Sequence, residues 1–313
     1  MLIIFSVLSN GCTLLQGAGK EADRRSETDL ETLRVLISSD IHYTDQMRTY
    51  GIDMDKRMQH WVDSILAEHE KEPIDLLVLN GDVSEDHWDH SQWDSVNGSC
   101  VLCGMDSTIP NLVDRYLNTL KQYFPVFVMP GNHEQYTNDE WKELVGNNRQ
   151  DSMVIDNTLF LFMDNFRVTA VPAECSDGTY TPTDVDYINE MIATYPEHDT
   201  YIISHYIDPR AESQNFRKLI VENERIKGMF SGHTHDSQLI ELGEYWGNKT
   251  IAQTGHFSAY FSTSTEKAFW GFRELVITPE EAYSQYITVK SDAIIDGQEQ
   301  HFERTTKNLV QYE

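Results

Sequence analysis

Five apolar runs in this chain each end in a cluster of polar, chemically capable side chains, and that alternation limits the folds open to it. Val35-Leu36-Ile37 runs into Asp40 and His42, and Leu76-Leu77-Val78-Leu79 into Asp82. Val126-Phe127-Val128 runs into Asn132 and His133, Tyr201-Ile202-Ile203 into His205, and Gly228-Met229-Phe230 into His233 and His235. Short runs of β-branched and aromatic residues read as buried strands. Carboxylates, an amide and imidazoles are thereby set at the C-terminal ends of strands, the edge at which open α/β sheets bind ligands. Oxygen and nitrogen donors without thiolate suit Mn, Zn or Fe.

The segments between these runs alternate with them. Asp53–Glu70 carries Met54, Met58, Trp61, Ile65 and Leu66 near helical spacing, and Asn111–Gln122 sets Leu112, Tyr116, Leu117 and Leu120 on one face. This β-α-β-α-β order predicts parallel strands joined by helical crossovers. Ser152–Phe162 reads as one or two strands, Phe166–Val171 as another, and Thr200–Ser204 as a third. Helices are expected over Thr183–Tyr195, with Thr183 as N-cap, and over Arg217–Glu224. Past His235 the pattern is strand-rich: Ser237–Leu242, Lys249–Thr254, Gly271–Thr278 and Tyr283–Lys290, then a polar peripheral strand or tail over 291–313. Periodicity alone gives an α/β fold.

The polar clusters form an ordered series: Asp40-Ile-His42, Gly81-Asp82, Gly131-Asn132-His133-Glu134, His205 and Gly232-His233-Thr-His235. In that order they resemble the blocks of the calcineurin-like metallophosphoesterase superfamily, over roughly Leu33 to Phe261. The resemblance implies a four-layer αββα sandwich of two mixed β-sheets flanked by helices, placed here over 33–290. It implies two divalent metal ions (Mn, Fe or Zn), one on Asp40, His42, Asp82 and His235, the other on Asp82, Asn132, His205 and His233. It further implies hydrolysis of a small phosphomonoester or phosphodiester by water or hydroxide activated at the dinuclear centre. His133, outside both ligand sets, would act as general acid or phosphate stabiliser, a task suited to a pKa of about 6.5. Read as strand-like, Gly-His-Thr-His sends both imidazoles the same way. Gly131 and Gly232 are expected to let the backbone turn sharply beside the ions.

The second block departs from that of the protein phosphatases in this superfamily. Gly81-Asp82-Val83-Ser84-Glu85-Asp86-His87 lacks their phosphate-clamping arginine, which disfavours protein phosphatase activity. Glu85 or Asp86 is the expected orienter of His133. Tyr206, Asp208 and His256 are further pocket residues on this reading. The insert Glu85–Met105, with His87, Trp88, His90, Trp93 and Cys100-x-x-Cys103, is either a pocket wall or an exposed loop. Cys100 and Cys103 read as a local disulfide or two inert thiols, and Cys175 as structural or paired with one of them. The alternative function is a catalytically weak metal-binding or scaffold protein on the same fold. An amidohydrolase would place H-x-H first and its aspartate last, the opposite order.

A formal net charge of −27 argues against nucleic acid as partner, because phosphate backbones are bound by excess Lys and Arg. The N-terminus sets an apolar stretch, Leu2 to Leu8, before Cys12, and a polar stretch, Gly17 to Thr32, before the first strand. Residues 1–32 therefore read as an export signal with Cys12 as a lipidation site, followed by a tether. An exported protein, lipid-anchored at the membrane or secreted, is expected. The alternative is a cytoplasmic protein with a frayed apolar end.

Overall fold

The computed structural model describes residues 32–43, 48–49, 52–84, 93–94, 99–100, 108–167, 178–258, 270–289 and 310–312. The signal-like segment with Cys12, Glu85 and Asp86, the side chains of the 85–105 insert, Cys175, residues 168–171, and the C-terminal stretch before 310 lie outside the described residues.

Twelve principal strands carry the fold: β1 (Leu33–Ser38), β2 (Leu76–Asn80), β3 (Val126–Met129), β4 (Asp151–Ile155), β5 (Thr158–Met163), β6 (Asp199–Ser204), β7 (Ile226–Ser231), β8 (Leu239–Glu241), β9 (Thr250–Gln253), β10 (Gly271–Ile277), β11 (Ala282–Thr288) and β12 (Val310–Tyr312). They form two six-stranded sheets, ordered β12-β11-β10-β1-β2-β3 and β8-β9-β7-β6-β5-β4. In the first, β1, β2 and β3 are parallel, and β10 to β12 are added antiparallel. In the second, β5, β6, β7 and β9 are parallel, with antiparallel β4 and β8 at the edges.

The period-2 alternation of β1 explains why sheets can face each other. Val35 and Ile37 point into the space between the sheets, where they meet Val78, Phe127, Phe162, Ile203 and Phe230. Leu36 points the other way, against Met58, Trp61 and Ile65 of α1 (Met54–Lys71) and Leu117 and Leu120. Phe127 of β3 and Phe162 of β5 stack at 3.8 Å across the gap. On the far side of the second sheet, Ile202, Met229 and Ile251 pack on Ile188 and Ile192 and on Phe216 and Ile220 of two further helices. Each such fully buried side chain contributes about 1.5–3 kcal/mol. The result is the expected αββα order of layers.

Boundaries shift where capping decides them. Asp53 caps α1, accepting from Lys56 N at 3.1 Å. The helix expected from Asn111 starts earlier, as α2 (Thr108–Leu112), then widens to a π-turn over Val113–Leu117 before α3 (Asn118–Leu120). α4 (Asn138–Val145) is an addition to the expected helices, closed by a Thr137–Glu140 capping box and a left-handed Gly146. α5 (Val185–Thr194) is capped by Asp184, not Thr183, whose hydroxyl donates to Glu212 at 2.7 Å. α6 (Gln214–Glu222) starts before Arg217 because Ser213 caps it. Residues 152–162 fall into the β4–β5 hairpin, with Asp156 at φ 50° in its turn. Ser237 and Gln238 precede β8 instead of joining it. Among the described residues, no helix is long and apolar enough to cross a membrane.

Candidate metal centre

The C-terminal ends of β1, β2 and β3 from one sheet and of β6 and β7 from the other meet at one edge. Each presents its polar residues in the loop just beyond the strand. Five of the seven expected donors adopt left-handed backbone: Asp40 (φ 52°), His42 (49°), Asp82 (46°), His233 (68°) and His235 (60°). The strand-like reading of Gly-His-Thr-His is therefore corrected. The segment is a loop, and its two imidazoles are aimed by two left-handed residues, not by strand alternation. The glycine reading also shifts. Gly81 makes the sharp turn, at φ 80°, and a β-carbon there would strike the His205 ring. Gly131 and Gly232 serve close approach instead: a β-carbon would collide with Asp82 at the first and with Ser39 and Asp40 at the second.

All seven expected donors and His133 gather at this edge. Three overlapping sets could each hold a metal ion: Asp40, His42 and His235; His42, Asp82 and His133; and Asp82, His205 and His233. His42 Nε2 lies 3.1 Å from His235 Nε2, which is 3.3 Å from Asp40 Oδ1. Asp82 Oδ2 lies 3.1 Å from His205 Nε2, 3.9 Å from His42 Nε2 and 3.7 Å from His133 Nε2. Asn132 Oδ1 lies 2.9 Å from His233 Nδ1 and 3.2 Å from His205 Nε2.

These separations fit a cation. Ligand atoms about 2.0–2.2 Å from one ion stand roughly 3.0–3.5 Å from each other. Asp40 Oδ1 is buried, with the His235 ring nitrogen 3.3 Å away but no hydrogen bond of good geometry. The Asn132 oxygen faces only acceptors, so either the amide turns round to donate to Asp82 or a cation lies among them. The donors are carboxylate, amide and imidazole, a set that accepts Mn, Fe or Zn.

Electrostatics among the protein groups themselves follow from burial opposed by close counter-charges. Burial would raise the Asp40 pKa, but His235 and His205 lower it to about 2. Asp82 is likewise held well below the ordinary carboxylate range against its burial, by His205, His133 and His42. Burial would lower His205, but Asp82 and Asp40 raise it to about 9. His235 is raised, overcoming burial, by Asp40, and His233 is lowered by burial and by His205.

Sequence reasoning missed the group that holds two of these loops together. Glu134, fully buried, accepts from Gly131 N at 2.6 Å, Asp82 N at 3.1 Å, Ser84 N at 2.8 Å and Ser84 Oγ at 3.2 Å. Burial, then Asp82, raises its pKa to about 7. Its place in Gly-Asn-His-Glu was the available signal. Two buried arginines brace the same shell. Arg57 donates to the His42 carbonyl at 2.9 Å, and Arg149 to the Glu134 and Tyr136 carbonyls at 2.8 Å each. Two of the expected pocket residues do adjoin the centre: Tyr206 packs on His233 and His256 stacks on His235. Asp208 is instead engaged by Arg210.

The comparisons with known proteins agree with this architecture. A dimetal phosphatase from Danio rerio is 11% identical, covers 81% of this chain and 95% of its own, and superposes with a TM-score of 0.56. GAP50, the anchor in the inner membrane complex of Plasmodium, is 11% identical over 88% of this chain and 90% of its own, with a TM-score of 0.50. At such identities the likeness bears on the fold alone. The sequence model of the calcineurin-like phosphoesterases matches residues 33–237, from β1 through both histidines of Gly-His-Thr-His. With that match over most of its length, the chain belongs to the calcineurin-like phosphoesterase family.

Proposed function

We propose that this chain is a metal-dependent phosphoesterase that hydrolyses a small phosphomonoester or phosphodiester. The observation that carries the reading is the sharing of Asp82 between donor sets, with its Oδ2 3.1 Å from His205 Nε2 and 3.9 Å from His42 Nε2. Asp40, His42, Asp82 and His235 would hold one divalent cation, and Asp82, Asn132, His205 and His233 the other. Bound there, such a pair supplies Lewis-acid chemistry: it neutralises phosphoryl charge and acidifies water.

The chain's own residues do the rest. Asp82 sets the spacing of the two halves by standing between them. His133 is buried at the same edge, its ring edge-on to His42 at 4.9 Å. It delivers a proton to the oxygen that leaves phosphorus. His42, His133 and His205 are buried, and the low polarity around them strengthens each charge interaction.

The test separates binding from chemistry. His133→Ala should keep its metal, by elemental analysis, and lose turnover by roughly 10²–10⁴-fold. The loss should be smaller for nitrophenyl esters, whose leaving groups need little protonation, than for alkyl esters. Equal losses would remove the acid role. No turnover of any mono- or diester, at full loading with Mn, Fe or Zn, would leave the chain a metal-binding scaffold.

A further inference from the structure

Resting on the phosphoesterase reading, we propose that Tyr206 is the platform on which the site takes the organic group of its substrate, and that this group carries a flat ring. The Tyr206 ring lies 4.5 Å from the His233 ring, tilted by 45°, and is only half-buried. It is thus an accessible aromatic surface in direct contact with a donor of the centre. Tyr180 backs it edge-on at 5.6 Å, and Phe166 lies 5.9 Å from Tyr180. Phe166 in turn sits 5.8 Å from His233 and 5.7 Å from His205. The three rings make an aromatic wall along the His205–His233 side. On the other flank the ring stacked on His235, at 5.1 Å, is His256, which is itself buried.

Tyr206 thus offers ring surface beside the centre, and its hydroxyl lies on the side of Arg210. Arg210 stands beside Tyr206, and its guanidinium grips Asp208 through Nε to Oδ1 at 3.0 Å and a second bond to Oδ2 at 3.1 Å. The segment is also rigid. Ser204 Oγ donates to the Tyr206 carbonyl at 3.0 Å, Asp208 N to the Tyr180 hydroxyl at 3.1 Å, and that hydroxyl to Glu212 at 2.6 Å. A platform ordered before binding loses little entropy when a ligand docks. Ring faces discriminate flat partners from puckered ones, because stacking adds to the area buried.

The test titrates the metal-loaded full chain by calorimetry with benzylphosphonate and cyclohexylmethylphosphonate. The two share an anionic head and nearly the same bulk, and the puckered ring is the more apolar. The wild type should bind benzylphosphonate about 3–10-fold tighter. Tyr206→Phe should keep that ratio. Tyr206→Ala should bring it to about 1 while changing cyclohexylmethylphosphonate binding by less than about twofold. A wild-type ratio near 1 would overturn the proposal. So would an unchanged ratio in Tyr206→Ala, or an equal loss for both ligands, which would mark a residue that merely packs on His233. Loss of metal from Tyr206→Ala would overturn it for the same reason. Because binding is read, the two readings fail separately. Ring preference without hydrolysis of any ester defeats the phosphoesterase, and hydrolysis without ring preference defeats the platform.

Discussion

The Asp82 half of the centre and the Asp40 half lie within a few ångströms of each other, yet they are held by different means. Around Asp82 the polypeptide supplies the partners. Asp82 Oδ1 accepts from His133 N at 3.1 Å, its own N–H donates to Glu134 at 3.1 Å, and His205 Nδ1 lies against the Asn80 carbonyl at 2.7 Å. Around Asp40 only part of the work is done by the chain. Its Oδ2 accepts from His233 N at 3.0 Å and from the Ser39 hydroxyl, while the buried Oδ1 has the His235 ring nitrogen 3.3 Å away but no hydrogen bond of good geometry. His42 and His235 aim their Nε2 atoms at each other, and the His235 side chain is 20% exposed. One half is therefore largely assembled by folding, while the other would be completed by a bound cation. On stepwise chelation the Asp40 half should empty first.

The largest blow to this contrast is Asp82→Ala. It removes the group common to both halves, so metal content should fall from about two ions per chain to nearly none, by elemental analysis. Full occupancy in that variant would show that the halves do not share a carboxylate. A finer tool is Glu134→Gln, which puts an amide where four donors converge on a carboxylate. Loss of such an outer partner typically weakens metal binding by about 10–100-fold. Competition against a chelator should place that loss on the Asp82 half, and equal weakening of both would erase the distinction.

Acidity gives the mildest probe. In the metal-free protein the His205 pKa is raised to about 9, so below that pH its ring carries a proton that must leave before the nitrogen can donate to a cation. Metal affinity at the Asp82 half should rise by about tenfold per pH unit up to about 9 and then level off. His233, whose pKa is lowered, adds no such barrier near neutrality. An affinity that is flat between pH 7 and 9 would show that His205 is not a ligand.

What could be read from the sequence was whatever is written locally. The strand ends were legible because an apolar run and a polar cluster stand side by side, as in Leu76 to Asp82. So was the order of the layers, once the family was recognised. The α4 helix was also written, in the Thr137-x-x-Glu140 box and Gly146, and was overlooked because its apolar face is narrow, with Trp141 and Val145 buried. Other features are tertiary. Nothing near Glu134 in the chain announces that its partners would be backbone N–H groups of residues 82 and 84. The cap of α5 passes from Thr183 to Asp184 because Glu212, distant in sequence, claims the threonine hydroxyl. Period-2 reasoning failed at His233 and His235 because it assumes an extended backbone, and this one is left-handed.

That left-handed backbone bears on how such a chain can drift over generations. A residue with a β-carbon in this region costs about 1–2 kcal/mol relative to glycine, and aspartate and histidine, like asparagine, enter it more readily than most side chains but still at a cost. At His42, His233 and His235, replacement by glycine would relax the main chain. A stable fold alone does not call for side chains at these positions, because glycine would serve it better. Three histidines and two aspartates on left-handed torsions are a standing cost to stability. On the phosphoesterase reading, a lineage would bear that cost only while the site is in use.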